Sequence, residues 1–350
     1  MTGFDVDYFP VGTGEGSGDA IAMRFWDSVG KQRVFVLDGG TQDSGKALVA
    51  HIKTHYGTEH VDGVISTHPD GDHASGLSVV MEELKVANLL MHQPWDHADT
   101  IKHLFEDKSL TPLGVSRKIK KELQFAHDLK KIADRKNIPI YEPFAGTTGW
   151  DGLMHVLGPS VDYYRILVAS FDCTPELAQP LLPVFPQRLP TRTDVEWVAE
   201  NWYTRTLEDG TDRFSPENSS SAIILFTVGS NLLLFTGDAD EAALEGAVSY
   251  ATANGIDLTK LHLFHVPHHG SKQNVGPTIL SKIKTQKAQI SAGPAAPKHP
   301  SYAVINELIR NGANVYTTRG RSIRHFSVGA PERSGWGPVT PEIFSDVVQK

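Results

Sequence analysis

Four side chains able to hold a metal ion fall within six residues: His68, Asp70, Asp72 and His73, in Thr67-His68-Pro69-Asp70-Gly71-Asp72-His73-Ala74-Ser75-Gly76. Imidazole nitrogen and carboxylate oxygen suit Zn²⁺ or Mn²⁺. Residues 61–66 just before them read as a short buried strand, and residues 74–84 just after them as a helix. The potential ligands therefore occupy a strand-to-helix loop. On extended chain His68 and Asp70 share one side, whereas Asp72 and His73 open the helix and diverge. That arrangement feeds two ions a few ångströms apart better than it feeds one. The rival reading is a polar loop rich in Asp and Gly by chance, and the strand-loop-helix context counts against it.

Further stretches carry polar groups at the ends of apolar runs. Leu234-Phe235-Thr236-Gly237-Asp238 is a strand running into a carboxylate. Val266-Pro267-His268-His269-Gly270-Ser271 follows another strand, and adjacent histidines there are expected to point to different sides, one toward metal and the other toward substrate. His299-Pro300-Ser301 comes later. Near the start, Phe9-Pro10-Val11 leads to Gly16-Ser17-Gly18-Asp19-Ala20-Ile21. Gly12, Gly14, Gly16 and Gly18 do not give the spacing of a dinucleotide loop, and residues 21–26 read as strand, so a tight turn is expected.

Taken in order across the chain, these blocks resemble the metallo-β-lactamase superfamily. His68-x-Asp70-x-Asp72-His73 is similar to its His-x-His-x-Asp-His signature, with Asp in place of the second His. That substitution, the Gly-Asp-Ala turn at Asp19, the Thr-Gly-Asp ending at Asp238, the His-His-Gly-Ser block and the closing His-Pro resemble the DNA-competence (ComEC-type) branch. The resemblance implies an α/β fold, the four-layer αβ/βα sandwich of two mixed β-sheets flanked by helices. It implies two divalent metal ions, Zn or Mn, with His68 and Asp70 on one, Asp72, His73 and His269 on the other, and Asp238 bridging. Asp38 is expected to support the metal loop by hydrogen bonds. Asp19 is read either as a turn residue or as a polar group near the cleft.

The resemblance further implies that a hydroxide bridging the two ions attacks a phosphodiester, with Asp72, His268 and His299 in the catalytic constellation. His269 is taken as ligand and His268 as proton donor or phosphate contact, the exchanged assignment remaining open. His299 is either a last ligand or an acid beside the leaving group. Asn218, beside Glu217, stands where most of these hydrolases carry a third His, leaving the first site under-ligated. Asn218, Ser271 and Lys272 are assigned to substrate. The expected activity is a metal-dependent phosphodiesterase or nuclease acting on DNA or a nucleotide. Hydrolysis of a small ester, lactam or phosphorylcholine substrate is the nearest alternative. A binding or regulatory module with a relic site comes from another class, and di-iron redox chemistry would want a flavin-domain partner.

Composition bounds these readings. Lys plus Arg number 33 against 41 Asp plus Glu, a formal net charge of −8 over 350 residues. A sequence-independent grip on a long polyanion needs a basic face, which this balance does not favour. Cys173 is the single cysteine, which excludes a disulfide within the chain and a Cys-based zinc cage. The first residues lack a basic region and an apolar run, and no stretch approaches the length of a membrane span. A cytoplasmic setting without membrane insertion is the expectation. This departs from the competence proteins, in which the resembling domain is attached to a membrane channel.

Residues 1–350 are read as one domain with a Pro-rich insertion at about 160–216, expected to lid the cleft or to mediate a protein or homo-oligomer contact. Trp197 and Trp202 within it are placed in a short helical piece. His51 and His55, four apart on a helix over residues 44–56, are read as solvated, and His92, His97 and His103 as ordinary loop histidines. Residues 117–136 read as one helix with a basic face that is either solvated or in contact with a phosphate backbone.

Overall fold

Along Gln32–Gly39 the side chains alternate between two apolar environments. Val34 and Val36 face one cluster, while Phe35 and Leu37 face another. A strand buried on both sides needs cover on both, and the rest of the chain supplies it. The computed structural model describes residues 1–14, 16–182, 196–210, 215–296 and 299–349. It contains two seven-stranded sheets packed face to face. The first runs Ile323–Phe326, Gly3–Tyr8, Ala20–Trp26, Gln32–Gly39, Gly63–Ile65, Leu89–Leu90, Ile140–Tyr141. The second runs Asn314–Thr317, Thr285–Ile290, Leu261–His265, Asn231–Phe235, Ile223–Val228, Met154–Gly158, Thr148–Gly149. Each pairs antiparallel in one half and parallel in the other. Phe25, Phe35, Phe226 and Phe235 interlock between them, and helices cover both outer faces. This is the four-layer αβ/βα sandwich.

The parallel halves matter for chemistry, because their strands end together. The loops after Gly63–Ile65, Asn231–Phe235 and Leu261–His265 all leave at one rim. The two sheets are joined there by the Ala222 amide, which donates to the Thr67 carbonyl (2.9 Å), and by Gly237, packed against the Thr67 side chain. Glycines also fix the helix Gly71–Glu83 on its strand. A Cβ on Gly76 would stand 2.0 Å from the Gly39 carbonyl oxygen, and one on Gly45 would stand 2.3 Å from that of Gly76. Only hydrogen fits at these contacts, so the helix carrying Asp72 and His73 cannot slide on the strand carrying Asp38.

Several expectations change. Trp197 lies in a strand, Trp197–Ala199, because it pairs with Val347–Gln349 at the far end of the chain; no local pattern announces that partner. The basic stretch is two helices, Pro112–Glu122 and Gln124–Lys136, broken at Leu123, whose ψ of 55° is not helical. His51 is not solvated: it is buried and bonded through Nε2 to Asp7 (3.0 Å). His92 and His97 are also buried, the latter 3.1 Å from Glu142. The stretch expected as an insertion begins with a helix, Val161–Ala169, whose Tyr164, Leu167 and Val168 belong to the outer core. Of its prolines, Pro183, Pro186 and Pro190 lie outside the described residues. Among the described residues no helix is long and apolar enough to cross a membrane.

Candidate metal centre

Asp38, next to last in the strand Gln32–Gly39, has a φ of 52°, a conformation that L-residues seldom adopt. Its carboxylate is wholly buried and accepts three hydrogen bonds, from the Thr67 amide (2.9 Å), the Thr67 hydroxyl (2.7 Å) and His73 Nδ1–H (2.9 Å). Since the Thr67 hydroxyl spends its proton on Asp38, it accepts from His68 Nδ1 (3.0 Å). In their neutral forms both imidazoles are thereby held in the tautomer with a lone pair on Nε2. Both of those Nε2 atoms are buried without a hydrogen-bond partner.

They converge on Asp238. One carboxylate oxygen of Asp238, Oδ1, lies 3.5 Å from His73 Nε2 and 4.0 Å from His269 Nε2. The other, Oδ2, lies 3.8 Å from His68 Nε2 and 3.8 Å from His268 Nε2. These separations are too long for hydrogen bonds and suit donor atoms arranged around ions rather than bonded to each other. Asp70 Oδ2 stands 3.8 Å from His68 Nε2 on the more exposed side. Asp72 groups with His73 and His269, and Asp19 with His73 and Asp238, each set within 4.8 Å of one another. The residues present therefore fit divalent ions: buried unpaired nitrogen and oxygen donors face one another across the space an ion would fill.

The histidine pair departs from the expectation of opposed sides. His268, His269 and Gly270 have φ of 47°, 56° and 75°, and this left-handed turn brings both Nε2 atoms to Asp238. They differ in exposure: the His268 side chain is 31% exposed and that of His269 is 5% exposed. His268 Nδ1–H donates to Asn274 Oδ1 (2.7 Å), and Asn274 Nδ2 donates to the Asp238 carbonyl (3.1 Å). Asn274 was not singled out from sequence; its signal is only that it follows the His pair by a turn. The His299 ring lies beside that of His268, tilted by 30° with ring centres 5.7 Å apart. Asn218 donates to Asp238 Oδ2 (3.3 Å). The Ser271 amide donates to the His268 carbonyl (3.0 Å), but among the described residues the Ser271 and Lys272 side chains make no hydrogen bond or ion pair to the cluster: the Ser271 hydroxyl accepts from the Gln273 amide, and the charge that acts on Lys272 is that of Glu208.

Asp19 is no mere turn residue. It is buried, bonded to His265 Nε2 (3.0 Å), and its other oxygen lies 3.7 Å from His73 Nδ1. Burial opposes its charge, yet His265, His73 and His269 together hold its carboxyl far below the usual range. Burial, seconded by neighbouring imidazoles, holds His68 well below the ordinary imidazole value. Burial also holds His269 well below it, against the opposing charge of Asp19. For His73 burial is outweighed by the charges of Asp238, Asp38 and Asp19, and its pKa rises. Burial pushes Asp238 up to about 6.

Beside Asp70 opens a groove of about 470 Å³, bordered by Lys118, Glu122, Asp172 and Glu217. Burial raises Glu217 to about 7. Phe125 packs on Gly71, so the start of its helix flanks the metal loop. The second half of the basic stretch is occupied elsewhere. Lys130 binds Asp134, Lys131 binds Asp128, and Arg135 and Lys136 hold Glu82 and neighbouring carbonyls at the far end of the Gly71–Glu83 helix.

The profile of the Metallo-beta-lactamase superfamily matches residues 14–166. Over 103 residues, 29% of the chain, the sequence is 37% identical to Recombination protein 2 of Haemophilus influenzae, and the match spans 12% of that protein's length. Among solved structures, CmlA, a diiron beta-hydroxylase from Streptomyces venezuelae, aligns over 93% of this chain and 54% of its own at 12% identity and a TM-score of 0.44. A diphosphatase from the PhnP family aligns over 93% and 98% at 12% identity and a TM-score of 0.39.

Proposed function

We propose that this chain, which belongs to the metallo-β-lactamase superfamily, is a metal-dependent phosphodiesterase. The observation that supports this most is Asp238, a buried carboxylate with an imidazole Nε2 pair on each oxygen. His68, Asp70 and Asp238 would hold one ion, and Asp72, His73, His269 and Asp238 the other. When bound, two divalent ions supply Lewis acidity, acidifying water and neutralising charge on phosphoryl oxygens. Asp38 and Thr67 keep the Nε2 lone pairs of His73 and His68 aimed inward. His268, fixed by Asn274 and more exposed than its neighbour, presents Nε2 at the mouth, where it can donate a proton to a departing oxygen. Asn218 steadies Asp238 from the side.

The partial similarity to a recombination protein favours a phosphodiester over a carbonyl substrate. A small substrate, such as a nucleotide, is favoured over a long strand by two observations: Lys130, Lys131, Arg135 and Lys136 are paired with acidic neighbours on the protein itself, and four carboxylates but one lysine line the groove beside Asp70. A panel of an aryl phosphodiester, a carboxylic ester and a lactam, with Mn²⁺ or Zn²⁺, tests the reading. The phosphodiester should turn over fastest; preference for either carbonyl substrate with metals loaded would overturn it.

A further inference from the structure

Lys287 stands in an unusual place for a lysine. Along Thr285–Ile290 the side chains of Ala288 and Ile290 join the helix-side core, and Gln289 reaches across to His325 of the opposite sheet (2.9 Å). By alternation Lys287 shares the face of Gln289, between the two sheets. Among the described residues its ammonium has no hydrogen bond or ion pair. Burial holds this amine below its ordinary value, and its charge in turn lowers His262 and His325 after burial has done so. The ammonium is not among the buried unpartnered atoms, so the half-buried side chain delivers an unpaired cation to an open face where an anion can meet it.

The side chain opens into a cleft of about 1030 Å³ where the edge strands Asn314–Thr317 and Ile323–Phe326 part. No residue of the metal centre lines it. Its walls include Tyr316, Trp336 and Phe326, the last 50% exposed. Two other cations on the wall are already committed. Arg324 binds Asp5 (2.6 Å) and stacks on Phe326, and Arg333 binds Asp7 (2.6 Å) and stacks on Trp336. Glu332 is the sole acidic residue among those that line the cleft, and it is on the exposed covering segment. Concave sites of about this size, with aromatic walls and a placed charge that is not already paired, are those that take small ligands.

We propose that this cleft binds a small molecule carrying a flat ring and an anionic group, a carboxylate or a phosphate, with Lys287 as counter-charge. The ring lies against Tyr316 and Phe326, where aromatic faces gain from stacking. The ammonium then regains the partner it lacks, as a compact point charge suited to either anion. This site is independent of the hydrolytic reading.

The test titrates the full chain with adenosine 5′-monophosphate, benzoate and inorganic phosphate by calorimetry. One ring-bearing anion, or both, should bind one to one, and inorganic phosphate should bind at least about tenfold more weakly. Binding of the nucleotide alone assigns phosphate, and binding of benzoate alone assigns carboxylate. Lys287→Met should weaken binding by about tenfold or more, Lys287→Arg should retain most of it, and Asp238→Ala, which breaks the other site, should leave it unchanged. Phe326→Leu, at a half-exposed position against which the ring is placed, gives a second variant if Lys287→Met does not fold, and should weaken the ring-bearing probes. Failure of both ring-bearing probes to bind at millimolar concentration overturns the proposal. So does parental affinity in a folded Lys287→Met protein, or loss of binding in Asp238→Ala alone.

Discussion

Asp38→Asn tests how the candidate centre keeps its ligands aimed. The amide can retain one oxygen to accept from the Thr67 backbone N–H (2.9 Å), but its NH₂ then faces the Thr67 hydroxyl (2.7 Å) and His73 Nδ1 (2.9 Å). Two donors cannot meet. His73 must either leave its place or move its proton from Nδ1 to Nε2, where it blocks the lone pair aimed at Asp238. The loss to the fold is one hydrogen bond to a charged acceptor and the rearrangement of another, about 2–4 kcal/mol, which a protein of this size should survive. Divalent binding should weaken about tenfold to a hundredfold, the range for groups that orient metal-bound histidines, or about 1.4–2.8 kcal/mol. Calorimetric titration with Zn²⁺ and Mn²⁺ measures the affinity. Nitrogen chemical shifts of the histidine rings report which nitrogen of His73 carries the proton. Parental affinity, with Nδ1 still protonated in the Asn variant, would refute the reasoning.

Other expectations follow from the same geometry. Asp238→Ala leaves cations without the carboxylate between them, so metal content by elemental analysis should fall by at least one equivalent and activity should drop severely; two ions retained would show that Asp238 is no bridge. Because the His73 pKa is raised, an ion taking its Nε2 must displace a proton. Divalent affinity should therefore keep increasing with pH above the ordinary imidazole value of about 6.5, with proton release visible in buffers of different ionisation heat. Asp7 is held below its usual range: burial raises it, but His51 and Arg333 outweigh that. Its stabilisation is fully present above the unfolded value of about 3.9 and lost as pH falls through the lower folded value. Arg333→Met should move the acid midpoint of thermal stability upward. Reversing Lys120, Lys121, Lys130 and Lys131 to Glu should leave aryl phosphodiester turnover unchanged; a marked loss would place those lysines in the substrate path.

How much of this was legible without coordinates depends on the range of each contact. The cluster His68–His73, the Asp238 turn and the His268–His269 pair each sit at the end of an apolar run, and local pattern marks such positions. The order of the blocks carried the sandwich as well. What sequence could not say is how these loops meet. That four Nε2 atoms lie within 4.0 Å of one carboxylate depends on two sheets ending at one rim, on glycine contacts between Gly39 and Gly76, and on a left-handed turn that swung His268 inward. Burial is likewise a property of distant partners. His51 pairs with Asp7, Trp197–Ala199 finds its strand at Val347–Gln349, and Lys287 finds none of the acid its charge calls for among the described residues. A residue's chemistry is written in its type, but its exposure, tautomer and charge are set by groups that only the folded chain brings beside it.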